Sequence, residues 1–375
     1  MAASVILPAP VERAALAARH GWGPDSAPAP LAALATAQAG LHAARLLTPY
    51  VTAHTRNPAF TGDELRAALS PGGTLVKIRC MRRTLHLWPL DQAPDAHMAT
   101  LRLRLGATRA TARRHGLAEA GLRRWGQRAV DALAAGPLSD RDLQNHLAKQ
   151  HPGRTDVAAI RLGIKWAWES GHITYRNASA SLHREERQYA LLSHAHPGLA
   201  LTGRDTRAAT IALVRRYLHA YGPAAEGDVL WWTGLTRAEI TPALAALRQD
   251  LVRVRIDGLP DELLALEEDL ERIRSAPPLP AGHVRLLAFE DPTFKGYFTT
   301  RSRYHDPAHT AQAFNTIGEV RAAINVAGRI AGTWAWDKRT RTVRSTLFTT
   351  QPAAVRRLIR HHLERVETFL RTEPS

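Results

Sequence analysis

The sequence predicts an α+β protein made of three tandem winged-helix units followed by a small β-rich C-terminal domain. Three observations predict it. The order helix, helix, β-hairpin recurs three times without obvious sequence repetition, a proline-rich stretch at residues 276–280 interrupts it, and beyond that stretch the apolar residues change from helical spacing to alternation. The implied divisions are residues 1–100, a first unit with a candidate catalytic segment, and 101–205, a basic linker helix and a second unit with a long hairpin. Residues 206–275 then form a third unit and 276–375 the β-rich part with its closing helix.

The middle unit is the clearest. Ser139 with Asp142 resembles a capping box that opens a short helix through Leu147. Thr155 starts a second helix, with Val157, Ile160, Ile164, Ala167 and Trp168 on an apolar face and Arg161 and Lys165 pointing elsewhere. Gly171 ends it. Strands over 173–175 and 189–192 then flank a polar tip carrying Asn177, Ser179, Ser181, His183 and Arg184.

The first unit reads as a helix over 31–44, another over 63–69, and strands over 75–80 and 83–88. The third, within 207–257, has a helix carrying Arg215, Arg216 and Tyr217, the pair Trp231 and Trp232, a box of Thr236 with Glu239, and a strand over 252–256. An acidic helix over 261–274 follows, its Glu267, Glu268 and Asp269 forming a solvated face. Residues 283–288, 322–326, 330–336 and 342–348 are the expected β segments, with turns at Ala327-Gly328 and Asp337-Lys338, and an amphipathic helix over 353–370 closes the chain.

Composition narrows the function. The chain has 375 residues, 45% hydrophobic, with no apolar run of membrane-spanning length and no basic segment leading into a long apolar one at its start, so a cytoplasmic, DNA-associated protein without membrane contact is expected. One cysteine, Cys80, excludes disulfides and multi-cysteine zinc sites. Fifty basic against 34 acidic residues give a net charge of +16, which favours a polyanionic partner. Arg102, Arg104, Arg109, Arg113, Arg114, Arg123, Arg124 and Arg128 crowd one stretch that holds a single acid, Glu119. Such a run is either a phosphate-facing surface or a solvated helical face. His305 and His309 have the spacing of a metal pair, but the intervening Asp306-Pro307 and the lack of a third ligand argue against a metal. Trp166, Trp168, Trp231 and Trp232 are read as core.

The stretches Cys80-Met-Arg-Arg-Thr-Leu-His-Leu87, Tyr221-Gly-Pro with Trp231-Trp-Thr-Gly-Leu235, Val284-Arg-Leu-Leu287, Asp291-Pro292 and Gly332-Thr-Trp334 resemble the winged-helix DNA glycosylases of the AlkZ type, in order and with sensible spacing from about Leu31 to Phe348. The resemblance implies winged helices and a β domain around a DNA channel. It also implies hydrolysis of the N-glycosidic bond of alkylated bases, including bulky guanine adducts left by DNA-alkylating natural products, without rotating the base out of the helix. Because N7 alkylation makes guanine a good leaving group, the catalyst need only steady an oxocarbenium-like sugar, place a water and take its proton, so neither metal nor cofactor is expected.

The family's catalytic signature is Gln, an apolar residue, then Gln or Asp. Aligning residues 40–56 on Thr48-Pro-Tyr-Val51 places His42, Ala43 and Ala44 there, and Ala44 departs from the pattern because it has no group to hold a water. A shifted alignment uses Thr36, Ala37 and Gln38, which on the expected helix lies one turn before His42 and shares its face. His42 and Gln38 are therefore the catalytic candidates. The alternative is that His42 is an ordinary polar residue on a half-exposed helix, and catalysis would require it neutral.

For DNA contact the candidates are Lys77, Arg79, Arg82 and Arg83 in the first unit, Arg161, Lys165, Arg176 and Arg184 in the second, and Lys295, Arg301 and Arg303 in the β domain. His86 either faces the DNA or packs beneath it. The hairpin tip around 177–187 is the candidate for groove insertion, or else a disordered wing. Two functions follow: a monofunctional glycosylase for N7-alkylated guanine in double-stranded DNA, serving repair or self-resistance, and a non-catalytic winged-helix protein that senses or shields damaged DNA or regulates transcription. No heptad seam or dimerisation helix is visible, which favours a monomer and the enzyme.

Overall fold

In the computed structural model, which describes residues 4–150, 156–259 and 262–372, helices surround four small sheets. The first sheet runs Leu41–His42, Leu85–Pro89, Leu75–Arg79, all antiparallel, and sits among the helices Leu31–Ala37, Leu47–Arg56 and Gly62–Ala68. Here the expected helix over 31–44 is corrected. It stops at Ala37 because Ala39 (φ 47°) and Gly40 (φ 92°) turn left-handed, and the Gly40 N–H bonds to the Ala35 carbonyl at 2.8 Å. A Cβ on Gly40 would come 2.8 Å from the Trp88 ring, so a larger residue there would have to displace the indole. Leu41 and His42 leave the turn extended and pair with Leu87 and His86. Gln38 and His42 consequently share no helical face.

The second sheet is Leu138–Ser139, Arg187–Leu191, Ile173–Asn177, with helices Asp140–Lys149 and Val157–Glu169. Ser139 caps the first by accepting from the Asp142 N–H at 3.0 Å, as its spacing predicts. The expected start of the second helix at Thr155 lies outside the described residues; Asp156 caps the observed helix through the Ala158 N–H. The hairpin tip is neither a free projection nor a disordered wing. Asn177 ties it together by bonding Ser179, Arg184 and Glu186, Leu182 is buried, and His183 stacks on Trp336 and bonds the Leu370 carbonyl at 3.0 Å.

The third sheet pairs Leu251–Ile256 with Leu263–Leu266 and adds Val5–Leu7 in parallel at its other edge. It packs with Thr206–Tyr221, Glu226–Thr233 and Arg237–Ala246, the last opened by the Thr236–Glu239 capping box that the sequence indicated. The expected acidic helix over 261–274 is also corrected. Its apolar start, Leu263–Leu266, pairs as a strand, and only Glu267–Arg274 is helical. Four antiparallel strands, Val284–Leu287, Ala323–Val326, Arg329–Asp337 and Thr342–Leu347, form the last sheet, against which Ala353–Thr372 buries Val355, Ile359, Val366 and Phe369.

One aromatic-rich core, including Trp22, Trp88, Tyr217, Tyr221, Trp232, Phe294, Tyr297 and Tyr304, joins the first sheet, the third helix group and the last sheet. Such shared burial fixes these parts against each other. The arginine-rich stretch divides. Arg104 is buried, paired with Glu169 at 3.0 Å and donating to the His97 carbonyl, so it holds helices together; Arg109 and Arg123 pair with Glu119 over the Trp166 ring. Among the described residues, no helix is long and apolar enough to cross a membrane.

Candidate active site

Three parts of the chain build one buried polar cluster. On the first sheet, pairing of His42 with His86 puts both side chains on one face, their rings edge to face at 5.3 Å. Facing them is the segment 288–297, whose shape is set by Asp291. That carboxylate caps the turn Pro292–Lys295 by accepting from the Thr293 N–H at 3.0 Å, and takes a two-pronged bond from Arg56 at 2.8 and 2.9 Å. The anchored turn presents Glu290 on one side and Lys295 on the other.

Glu290 adopts a left-handed backbone (φ 55°), unusual for a residue with a side chain. Its N–H donates to the Val320 carbonyl at 3.0 Å, and its Oε1 accepts from the Val320 N–H at 2.9 Å. Oε2 pairs with the Lys295 ammonium and stands 4.0 Å from His42 Nε2. All three groups are enclosed: His42 and Glu290 are each 2% exposed and Lys295 8%.

Burial, reinforced by Lys295, His86, Arg82 and Arg45, holds His42 well below the usual imidazole range, so it is neutral at neutral pH. Neither of its ring nitrogens has a hydrogen-bond partner. His86 is pushed down to about 3 by burial and by Lys295, and its Nδ1 lies 3.3 Å from the Thr84 carbonyl. Burial and Arg82 also lower Lys295, opposed by Glu319. Cys80, whose thiol burial raises to about 11, is no nucleophile.

Above the cluster, Arg82 (φ 50°) lies over Trp231 at 3.8 Å, Trp231 stacks on Phe298, and Arg301 covers Phe298 and Phe314. Arg45 covers Phe289 and pairs with Glu319 at 3.3 Å. A neutral imidazole beside a fixed carboxylate can orient a water and favour positive charge nearby. Among the described residues, no group of three or more His, Cys, Asp or Glu could hold a metal.

The other candidate residues scatter. Gln38 is buried beyond the Gly40 turn, its side-chain amide donating to the His20 carbonyl at 3.4 Å while its backbone carbonyl accepts from the Tyr221 hydroxyl; no hydrogen bond joins it to His42. Arg79, Arg83 and Lys165 converge, with Arg114, on a cleft of about 220 Å³. Lys77 and Arg176 line a larger groove, about 830 Å³, between the first sheet and the second hairpin, and Lys77 is held there by Glu185 and the Tyr175 ring. Ala43 and Leu87 face this groove, so it lies across the strand from His42 and is distinct from the polar site. Arg161 and Arg184 are surface residues bonded to Gln144 and Glu186. Arg303 is a correction: it is 3% exposed, paired with Glu12 at 2.7 Å and bonded to the Pro223 carbonyl, and is spent on the fold.

Glu290 is the site residue that motif reading missed. Its one signal was its place immediately before Asp291-Pro292, a stretch noticed for its resemblance and not for its chemistry.

The chain belongs to the AlkZ-like DNA glycosylase family, a family of base-excising repair enzymes, whose model matches residues 31–369. Among solved structures it is similar to Streptomyces sahachiroi DNA glycosylase AlkZ, with a TM-score of 0.79 and 18% identity over 98% of both chains. Direct comparison with curated proteins finds no match.

Proposed function

We propose that this protein is a monofunctional, monomeric DNA glycosylase that hydrolyses the N-glycosidic bond of N7-alkylated guanine in double-stranded DNA, serving the cell's resistance to a bulky DNA-alkylating compound. In this reading the three helix–helix–hairpin groups are winged helices dividing the chain near residues 100, 205 and 275, and the protein works on DNA in the cytoplasm. The observation that carries it is His42. In the alignment anchored on Thr48–Val51 this side chain falls on the first position of the family's signature; it is neutral and has two unpartnered nitrogens in a site otherwise rich in ion pairs.

The chemistry suits those properties. Alkylation at N7 leaves guanine cationic, so departure of the base neutralises it while positive charge passes to the sugar. A protonated histidine would oppose that charge; a neutral one accepts a hydrogen bond from the attacking water. Arg79, Arg83, Arg114 and Lys165 supply a cleft suited to a backbone phosphate, and Arg82 and Arg301 cations beside the site.

The second reading, a DNA-binding protein without catalysis, is favoured by exposed Ala44, which offers nothing to a water. Incubation with duplex DNA containing N7-methylguanine separates the two. The glycosylase releases free base and leaves alkali-labile abasic sites; tight binding without release sinks the enzyme.

A further inference from the structure

We propose that Glu290 is the second catalytic group of this site, supplying from the β-rich part of the chain the function that the motif lacks at Ala44, with Lys295 as its positioning residue. The inference rests on the glycosylase reading above.

The motif's third position calls for a side chain that takes a water's proton or faces a cation, and Ala44 can do neither. Glu290 can do both. Its backbone sits in the left-handed region, its N–H donating to the Val320 carbonyl, and the Val320 N–H in return fixes Oε1. Only Oε2 is left to act, held by Lys295 and aimed at His42. Backbone strain concentrates where a side chain must be delivered to one place.

The separation of Oε2 from His42 Nε2, 4.0 Å, is too long for a hydrogen bond. It is the separation that one water, about 2.8 Å from each atom, would bridge. Such a water donates one proton toward Nε2 and the other toward Oε2, leaving a lone pair for carbon. In the reaction the C1′–N9 bond breaks and its electron pair goes to the alkylated purine, which leaves neutral. The water oxygen bonds C1′, and its surplus proton passes to Oε2, from which it returns to solvent. The carboxylate, held from its other side by Lys295, also places its charge beside the developing sugar cation.

The neighbouring carboxylate cannot take this role. Asp291 is fully engaged by Arg56, Thr52, Thr293 and the Ala288 N–H.

Single-turnover release of N7-methylguanine from duplex DNA tests the assignment. Glu290→Gln, which keeps the shape, is expected to lower the rate on the order of 100-fold with DNA affinity within about twofold. In Glu290→Ala, added formate should restore the rate at least about tenfold while leaving wild type and Glu290→Gln unchanged, a rescue that a purely structural role would not show. Lys295→Met should slow release and Lys295→Arg recover most of it, again at constant affinity. Wild-type rates in Glu290→Gln, or no formate rescue of a folded Glu290→Ala protein, would overturn the role of Glu290 and leave the glycosylase reading standing; equal loss in Lys295→Met and Lys295→Arg would overturn the positioning role. No release by the wild type would overturn both readings.

Discussion

Glu290 and Asp291 are consecutive carboxylates, equally buried, and they have opposite fates. Asp291 is saturated: Arg56 grips it with two bonds, two backbone N–H groups and Thr52 complete its shell, and His20, through Thr293, extends the network. Glu290 has one oxygen committed to Val320 and the other shared by Lys295 and an imidazole too distant to bond. A buried polar network with every member satisfied fixes a fold, whereas one with spare capacity beside an unpartnered base is equipped for a substrate. Burial and charge do not separate structure from chemistry here; saturation does.

Breaking the saturated half should give the largest effect. Asp291→Asn leaves the buried Arg56 guanidinium without its counter-charge, and a loss of about 3–5 kcal/mol in unfolding free energy is expected, read by denaturant titration. A stable but inactive Asp291→Asn protein would erase the distinction between the two carboxylates.

Acid should weaken both halves. Burial, then Arg56, holds His20 down to about 3, and burial, then Lys295, does the same to His86, while the unfolded chain protonates both near 6.5. Below 6.5 the unfolded state therefore binds more protons, and stability falls as pH drops from about 6.5 toward 3, by up to about 1.4 kcal/mol per pH unit for each such histidine. Denaturation midpoints at pH 7.5, 5.5 and 4.5 check this. A flat profile would mean that these imidazoles are not held neutral.

The smallest effect sharpens the same contrast among cations. Arg83→Ala, in the open basic cleft, should reduce the slope of log affinity against log salt by about 0.9. Arg303→Met, at the buried pair with Glu12, should leave that slope unchanged in whatever fraction stays folded. A drop in slope for Arg303→Met would return it to the DNA surface.

Much of the architecture could be read from local chemistry. The Ser139 cap and the Thr236–Glu239 box depend on residues three apart, and the alternation before each strand of the last sheet is written in the strand itself. Two elements were not legible. Nothing in Ala39 advertises a left-handed turn, so the pattern extends the helix past Gly40 and puts His42 on the wrong kind of element; and Leu263–Leu266 sits at the head of an acidic run that looks helical until a strand is offered as partner. The site was half legible. His42 could be found by motif, but Glu290 reaches it from the far end of the chain, and the charge that made Arg303 look like a DNA contact gives no hint that Glu12 neutralises it.

Base excision by the unsaturated cluster around His42 is tested by single-turnover release of N7-methylguanine from duplex DNA with the wild type and His42→Ala, alongside their DNA affinities. The variant's rate should be lower by about 10²–10⁴-fold at nearly unchanged affinity; equal rates, or a loss explained entirely by weaker DNA binding, would remove His42 from the chemistry.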